Sequence, residues 1–385
     1  MKKLMIPGPT EVSAKTLEKM ALPMQPHYGA EWAKFYFEVV EKLQRVFQTK
    51  NDLFPIAATS SALMEMAISH AIVPGEEMLI CINGFFGERF EEIAASLGAK
   101  AITTQSDYGQ PITAAQMRRA LDEHPQIKAL AIVHNETSTG AVSDIFEIIP
   151  MARERGVLTI ADCVSSMGGV DIPVDKLGID FCLTGSQKAI GAPPGIAFIS
   201  VSERAWAAVS KRKQPVAGWY LNLNILKKYR EKWRDWHPHG PNTAPVSLYL
   251  ALDQTLDEIF AEGLPQRFAR HIRARDAFRA AMRALGLTLF VEDAYASKTL
   301  TGVCLPPGID GAVLRQRISD RHDILLAGGL GPTANTVIRV GHMALTASAE
   351  FLLPTIEAIE AELSGMGARI VKGVAAKAFK KAISG

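Results

Sequence analysis

The sequence has few cysteines and no surplus of charge of either sign. Its 385 residues include four cysteines, Cys81, Cys163, Cys182 and Cys304, and no two of them form a Cys-x-x-Cys pair. Each lies in or beside an apolar segment, which favours buried, reduced thiols and a cytoplasmic location over a disulfide framework. Forty-two basic side chains stand against forty acidic ones. This balance provides no electrostatic field for binding nucleic acid.

Long apolar runs and metal-ligand spacings are also missing. No apolar stretch reaches membrane-spanning length, and proline and glycine interrupt the first nine residues before a signal-peptide core can form. Nine histidines occur, but none lies in a His-Glu-x-x-His motif or in a Cys/His cluster with zinc spacing, so no metal site is expected. No Gly-x-Gly-x-x-Gly follows an early strand, which argues against a nucleotide-binding dehydrogenase.

What is present is the alternation of short apolar runs with helical segments. Hydrophobic residues make up 48% and charged residues 21% of the chain, which is ordinary for a globular protein, and the length favours two domains. The alternation predicts an α/β fold with a mostly parallel central sheet and helices on both faces. The predicted strands are 77–82, 99–103, 129–133, 157–161, 179–183 and 196–201, and helical spacing predicts a helix over 32–47.

The sequence pattern divides the chain into three parts, of which the second contains this sheet. Residues 1–20, which contain Pro7-Gly8-Pro9-Thr10, are predicted to form an extended N-terminal arm. Residues 21–262 form the large domain, and residues 263–385 form a small C-terminal α+β domain. The small domain is predicted to contain a long helix over 266–285, strands at 287–291, 300–304, 324–326 and 337–340, a turn at 328–332, and a tail helix within 369–385 packed on it.

Four residues that could take part in catalysis or cofactor binding lie just past the ends of predicted strands. They are Phe86, Thr137, Asp162 and Lys188, and ligands of parallel sheets gather at the carboxyl ends of the strands. Lys188 has only Asp180 as a charged neighbour between residues 178 and 200. A lysine that loses hydration deprotonates more easily and can condense with a carbonyl. The alternative is a solvated loop lysine.

A second group of small polar residues precedes a predicted helix. Thr59, Ser60 and Ser61 lead into a segment rich in helix formers. Free backbone N–H groups and hydroxyls at a helix start bind anions, so we predict a phosphate site, to which the Gln187 amide is expected to contribute. An ordinary N-cap, which needs one hydroxyl only, is the alternative.

These groups match the needs of an aldehyde cofactor that carries a phosphate and is held by Lys188. Asp162 would keep its ring nitrogen protonated, Phe86 would stack on the ring, and Thr137 would approach the ring hydroxyl. Arg339, in an otherwise apolar strand, would bind a substrate carboxylate. Each has a simpler alternative: a turn cap for Asp162, a core position for Phe86 and an interdomain ion pair for Arg339.

Taken together, the motifs resemble one family. They occur in that family's order along nearly the whole chain: Pro7-Gly8-Pro9-Thr10, Asn83-Gly84-Phe85-Phe86-Gly87, Glu136-Thr137-Ser138-Thr139-Gly140, Asp162-Cys163-Val164-Ser165-Ser166, Gly185-Ser186-Gln187-Lys188, Gly328-Gly329-Leu330-Gly331-Pro332 and Arg339-Val340-Gly341-His342-Met343. The sequence resembles the class V aminotransferases, which are fold-type I pyridoxal-phosphate enzymes, and within them the alanine–glyoxylate and serine–pyruvate branch.

The resemblance implies a role at each matching position. Lys188 would bind pyridoxal 5'-phosphate covalently and move a proton between substrate and cofactor, and Val164 would pack under the ring. Thr243 would reach the phosphate across a homodimer interface, so the active sites would be shared between subunits. The backbone of Gly8 would lie near the substrate carboxylate, and Tyr28 is expected to influence substrate choice together with Arg339 and the segment 237–242.

The resemblance also implies an activity, with some departures from the family pattern. The expected reaction moves an amino group from a small amino acid (alanine or serine) to a small 2-oxo acid (glyoxylate or pyruvate) by a ping-pong mechanism. Thr59-Ser60-Ser61 replaces the usual Ser-Gly-Thr or Ser-Gly-His and is similar to ureidoglycine–glyoxylate aminotransferases. The ending of the chain is similar to pyridoxamine–pyruvate aminotransferase, which has an acidic residue where this chain has Thr59.

Other functions remain open on the sequence alone. A pyridoxal-phosphate lyase or cysteine desulfurase is one, although a desulfurase needs a reactive cysteine on a mobile loop and Cys304 lies in an apolar run. A non-catalytic binding module with the same fold is another. The presence of Lys188, Asp162 and Arg339 argues against the latter.

Overall fold

The helices surround a central sheet and a smaller one in the computed structural model, which describes residues 2–384. The helices are α1 (Ala14–Met20), α2 (Ala30–Phe47), α3 (Ser60–Ala71), α4 (Phe85–Ser96), α5 (Ala114–Glu123), α6 (Ile145–Glu154), α7 (Val174–Leu177), α8 (Glu203–Ser210), α9 (Leu223–Lys232), α10 (Val246–Glu262), α11 (Leu264–Ala284), α12 (Gly311–His322), α13 (Ala349–Gly365) and α14 (Ala375–Ile383). Over the described residues, no helix is both long and apolar enough to span a bilayer.

The strands form one large sheet and several small ones. They are β1 (Lys3–Leu4), β2 (Asp52–Ile56), β3 (Glu77–Ile82), β4 (Lys100–Gln105), β5 (Ala129–Val133), β6 (Asn135–Glu136), β7 (Ala141–Val142), β8 (Leu158–Asp162), β9 (Phe181–Gly185), β10 (Ala197–Val201), β11 (Leu300–Cys304), β12 (Ile324–Leu325), β13 (Ala327–Gly328) and β14 (Val337–Gly341). The large sheet has the order β2-β10-β9-β8-β5-β3-β4.

This large sheet confirms the predicted mostly parallel α/β architecture. Strands β9, β8, β5, β3 and β4 run parallel, and β10 pairs antiparallel with both β9 and β2. The sequence pattern did not reveal β2, which contains Pro55. Proline cannot donate a ladder hydrogen bond, and accordingly β2 lies at the edge of the sheet.

Both faces of the sheet are covered, which explains its continuous apolar strands. Every residue of β5 is buried, because one face packs against a core that includes helices α2, α6 and α10 and the other against a core that includes α3 and α4. A strand buried on both faces does not alternate between polar and apolar residues. Only the strand ends are then free to carry polar groups, which places the chemistry there.

The C-terminal part has its own sheet and its own apolar core. Strands β11, β14 and β13 form a three-stranded antiparallel sheet, packed against α11, α13 and α14. The predicted tail helix is confirmed as α14, whose Phe379 is fully buried in this core. The strand predicted at 287–291 is wrong, since only one bridge, Leu289 to Val303, forms there. The domain boundary near residue 262 stays a prediction.

The N-terminal arm is shorter than predicted. Residues 14–20 form α1 rather than extended chain, because the Ser13 side chain accepts a hydrogen bond from the backbone N–H of Thr16 and caps the helix. The hydroxyl of Thr16 meets that of Thr255 on α10 at 3.0 Å. The arm proper pairs as β1 with β12 and then passes Lys188, since the Lys188 amine donates to the carbonyl of Pro7.

Candidate active site

The carboxyl ends of the parallel strands and the start of α3 enclose a pocket of about 170 Å³. Its wall contains most of the residues predicted from the sequence: Thr59, Ser60, Ser61, Phe86, Thr137, Asp162, Val164, Gln187 and Lys188. Met64 and Arg89 complete the lining. The charged side chains in this lining are therefore Lys188, Asp162 and Arg89.

Lys188 lies on a short π-helical turn, residues 186–190, that directly follows β9. Burial, followed by the positive charge of Arg339, lowers the pKa of its amine to about 8, while Asp162 acts in the opposite direction. The amine contacts the N-terminal arm so closely that a Cβ at Gly8, which has φ +93°, would overlap the lysine side chain. Glycine is therefore required there, and the arm fixes the position of the amine.

Asp162 ends β8 and has a buried carboxylate. Its Oδ1 accepts a hydrogen bond of 2.8 Å from the backbone N–H of Val164. Burial is the main reason that its pKa is raised to about 7, and the buried carboxylate of Glu136 adds to the effect. A cation placed beside Asp162, such as a protonated ring nitrogen, would restore its charged form.

Phe86 is held in place by a carboxylate that the sequence analysis did not assign. Glu136 Oε2 accepts hydrogen bonds from the backbone N–H groups of Phe86 (3.1 Å) and Gly87 (3.3 Å) at the start of α4. The positive end of the helix dipole favours such a carboxylate. A Cβ at Gly84 would overlap the Glu136 side chain, so this close approach requires glycine. Glu136 thereby positions the aromatic ring over the pocket.

The start of α3 fits an anion. Thr59 occupies the N-cap position without using its side chain as a cap, and the buried hydroxyl of Ser60 has no hydrogen-bond partner among the described residues. Buried polar groups are normally paired, so an unpaired hydroxyl at a helix start indicates a ligand that supplies the acceptor. Gly185 leaves room for it, since a Cβ there would overlap the Ser60 hydroxyl. These residues fit the phosphate of the expected cofactor.

Arg89 was missed by the sequence analysis. It lies on α4, its Nη1 donates to the Ser61 hydroxyl at 3.0 Å, and its guanidinium lies 4.8 Å from the ring centroid of Phe86. It therefore links the predicted anion site to the predicted stacking residue. Its position three residues after Phe86, one turn along the same helix, could have indicated that the two side chains share one face.

Thr137 lines the pocket and is contacted by Arg339, which is not itself part of the lining. The Thr137 hydroxyl is hydrogen bonded to the Ser165 hydroxyl. The backbone carbonyl of Thr137 accepts a hydrogen bond of 2.6 Å from Arg339 Nη1. Arg339 Nε donates to the carbonyl of Gly328 at 2.7 Å. Two of the five guanidinium donors are thus used, and no carboxylate among the described residues is ion-paired with Arg339. The ion-pair alternative is not what the structure shows.

Three other residues predicted for the site, Gly8, Tyr28 and Thr243, do not line this pocket in the single chain. The Gly8 N–H donates to the carbonyl of Ile6 at 2.8 Å, so that donor is already used within the arm. Tyr28 and Thr243 are exposed and do not line this pocket. Cys304 is half-buried, and burial raises the pKa of its thiol, which does not fit a reactive thiolate.

Comparison with known proteins gives consistent results. The family model described as Aminotransferase class-V matches residues 14–329. A protein of Methanocaldococcus jannaschii described as an uncharacterized aminotransferase is 40% identical, over 95% of this chain and 94% of its own length. The crystal structure of a ureidoglycine–glyoxylate aminotransferase from Bacillus subtilis is similar, with a TM-score of 0.93, 31% identity, and coverage of 100% of this chain and 98% of that one. An alanine–glyoxylate aminotransferase from Nostoc sp. has a TM-score of 0.90 and 35% identity over 94% of this chain and 95% of that one.

Proposed function

Because the chain belongs to the class V aminotransferase family, we propose that it moves an amino group from alanine or serine to glyoxylate or pyruvate by a two-step ping-pong cycle. It is a pyridoxal-phosphate-dependent transaminase of fold type I. The observation that carries the proposal is the pocket in which the half-buried side chain of Lys188, the buried carboxylate of Asp162 and the unpaired hydroxyl of Ser60 converge.

Each of these residues has a defined task in amino transfer. Pyridoxal phosphate, when bound, supplies the electron sink for the bonding electrons released at the substrate Cα. Asp162 would hold a proton on the ring nitrogen, Phe86 and Val164 would pack against the ring, and Thr59, Ser60, Ser61 and Gln187 would hold the phosphate. Lys188 carries a proton from the substrate Cα to the cofactor, for which an amine with a pKa near 8 is well matched to neutral pH.

The proposed substrates follow from Arg339 and from the compared enzymes. Arg339 is buried and keeps unused guanidinium donors, and its charge is near enough to lower the pKa of Lys188, which suits a bidentate bond to a substrate carboxylate. The names of both compared structures include glyoxylate as a substrate, which supports glyoxylate as acceptor here. The amino donors in those names differ. The names of the compared enzymes therefore support the acceptor and not a particular amino donor.

We propose a homodimer that completes the pocket. Thr243 is exposed in the single chain, and the segment preceding it lies against the loop of Tyr28, since the N–H of Gly29 donates to the carbonyl of Trp236 at 2.8 Å. Both predicted residues thus belong to one surface region. Seated against a second copy, this region would supply Thr243 to the partner's phosphate. The cytoplasmic location stays a prediction.

The experiment that tests the function is a panel of amino donors. Alanine, serine, aspartate and pyridoxamine are each mixed with the holoenzyme, and the single-turnover change in cofactor absorbance is recorded. Glyoxylate, pyruvate and 2-oxoglutarate are then used to reverse it. We expect alanine or serine to react fastest and glyoxylate to reverse the change fastest. A faster reaction with pyridoxamine would favour the pyridoxamine–pyruvate alternative, and repeated release of pyruvate and ammonia from serine without an acceptor would favour a lyase.

The lowered pKa of Lys188 predicts how cofactor capture depends on pH. The neutral amine is the nucleophile, so capture by the apo-protein should accelerate about tenfold per pH unit below about 8 and level off above it. Stopped-flow absorbance between pH 7 and 9.5 measures this rate. A rate that continues to rise through pH 9.5 would indicate an ordinary, hydrated lysine and contradict the burial argument.

We also assign Arg89 to phosphate binding. A phosphate that approaches the Ser61 hydroxyl would meet the guanidinium bonded to it. Arg89→Gln should therefore weaken the affinity for pyridoxal 5'-phosphate by about 10- to 100-fold, as expected for a charge-assisted hydrogen bond of about 1.5–3 kcal/mol. The affinity for pyridoxal, which lacks the phosphate, should change less than threefold.

A matched control uses an arginine on another helix. Arg118 on α5 is exposed, so Arg118→Gln makes the same change in net charge and should leave both affinities unaltered. Equal weakening of pyridoxal and pyridoxal phosphate binding by Arg89→Gln would instead show that Arg89 acts on the ring through Phe86.

A further inference from the structure

A cluster of three histidines lies outside the pocket. Among the described residues, His27, His237 and His239 form the single group of at least three histidine, cysteine or acidic side chains whose ligand atoms all lie within 4.8 Å of one another. His27 precedes α2, and the other two follow α9, some 210 residues later in the chain. Local spacing therefore gives no sign of this cluster in the sequence.

We propose that His27, His237 and His239 bind a divalent transition-metal ion of the zinc class. Imidazole nitrogen is a preferred ligand of Zn²⁺, and three histidines with a fourth position left open form an established coordination type. The ring centroids are 5.2 Å apart for His27 and His237, 5.7 Å for His27 and His239, and 4.0 Å for His237 and His239. The three rings thus lie within contact distance of one another.

The hydrogen bonds of the rings leave suitable lone pairs. His237 Nδ1 donates to the carbonyl of Gly240, so its Nε2 carries the lone pair. His239 Nε2 donates to the carbonyl of Asn242 at 2.7 Å, and its Nδ1 accepts from Trp32 Nε1 at 2.9 Å. Metal-binding histidines typically donate their second nitrogen to a backbone carbonyl in this way. A metal ion bound at His239 Nδ1 would replace the hydrogen bond that this nitrogen accepts from Trp32.

His27 is the least constrained of the three side chains. Tetrahedral zinc with Zn–N bonds of about 2.0–2.1 Å needs ligand atoms about 3.4 Å apart, against the 4.8 Å limit observed. His27 is half-buried, lies on a loop, and has no hydrogen bond to its ring among the described residues. This side chain is therefore free to rotate toward a metal ion bound by His237 and His239.

The location of the cluster gives the site a structural consequence. An occupied site would fasten the loop of His27, and with it the neighbouring Tyr28, to the segment that leads to Thr243. It would thus stabilise the surface region assigned above to the dimer contact, although metal binding does not depend on that assignment.

The test is zinc binding by the holoenzyme made without a histidine tag. After dialysis against a chelator, isothermal titration with ZnCl₂ should show one ion per chain at micromolar or tighter affinity. His27→Ala should weaken it at least tenfold, and His124→Ala, which removes a half-buried histidine outside the cluster, should not. His27 is chosen because it lies on a loop, so its substitution should leave the fold intact, and cofactor absorbance of each variant verifies this.

A second measurement uses the aromatic residues around the site. Trp236 and Trp233 lie 5.3 and 5.6 Å from the His237 ring, so Cu²⁺ bound there should quench tryptophan fluorescence in the wild type and His124→Ala but much less in His27→Ala. Zinc should also raise the melting temperature of the first two proteins only. Equal zinc affinity in wild type and His27→Ala, or no saturable binding in the wild type, would overturn the proposal.

Discussion

Lys188→Ala should reduce the rate of amino transfer by about 10⁴-fold or more while the protein stays folded. The side chain is expected to contribute both the amine that holds the cofactor and the group that transfers the proton, and proton transfer alone is typically worth 10²–10⁴-fold. The fold should survive because the substitution removes a buried amine whose hydrogen-bond partner is one backbone carbonyl, that of Pro7. Steady-state assays and thermal unfolding measure the two effects.

Borohydride reduction separates the role of Lys188 from general damage. In the wild type it should fix the mass of the cofactor to the peptide that contains residue 188, and in Lys188→Ala it should fix nothing. Lys298→Ala is the matched control, since Lys298 is half-buried, has a pKa that burial also lowers, and lines a different cavity. Full activity in Lys188→Ala, or the same loss in Lys298→Ala, would refute the mechanism.

Arg339→Ala should lower kcat/KM for alanine by about 10²–10³-fold. Removing one partner of a desolvated, hydrogen-bonded charge pair typically costs about 3–4 kcal/mol, and each 1.4 kcal/mol is a factor of ten. The loss should appear mainly in KM, while retention of pyridoxal phosphate changes less than threefold. Arg339→Lys, which keeps the charge but not the planar fork, should recover only part of the loss.

A structural role for Arg339 makes a different prediction. Its bonds to the carbonyls of Gly328 and Thr137 mean that Arg339→Ala also leaves two acceptors unpaired, so a lower melting temperature is expected in either case. Ethylamine, which lacks the carboxylate of alanine, discriminates between the roles in single-turnover assays. If Arg339 binds the carboxylate, the variant loses reactivity with alanine but not with ethylamine. Equal losses would identify a structural arginine.

Much of the pocket could be predicted because its residues follow strand ends. Asp162 terminates β8, and Lys188 follows β9 after two residues. In a parallel sheet these ends lie at one edge, so adjacency in the fold follows from position along the chain. The residues that were missed, Glu136 and Arg89, act through helix α4. Their role depends on how that helix is oriented against β6, which no local pattern encodes.

The sequence by itself determined the parallel sheet, the lysine and carboxylate at its edge, and the hydroxyls at the start of α3. These depend on hydrophobic periodicity and on residues close in the chain, where covalent geometry limits the possible arrangements. Tertiary structure alone decided three other features: the capping of α4 by Glu136, the bond from Arg339 to Thr137, and the approach of His27 to His237 and His239. Such contacts join residues from about fifty to more than two hundred positions apart, so they form only when packing of the whole core fixes the relative positions of the elements.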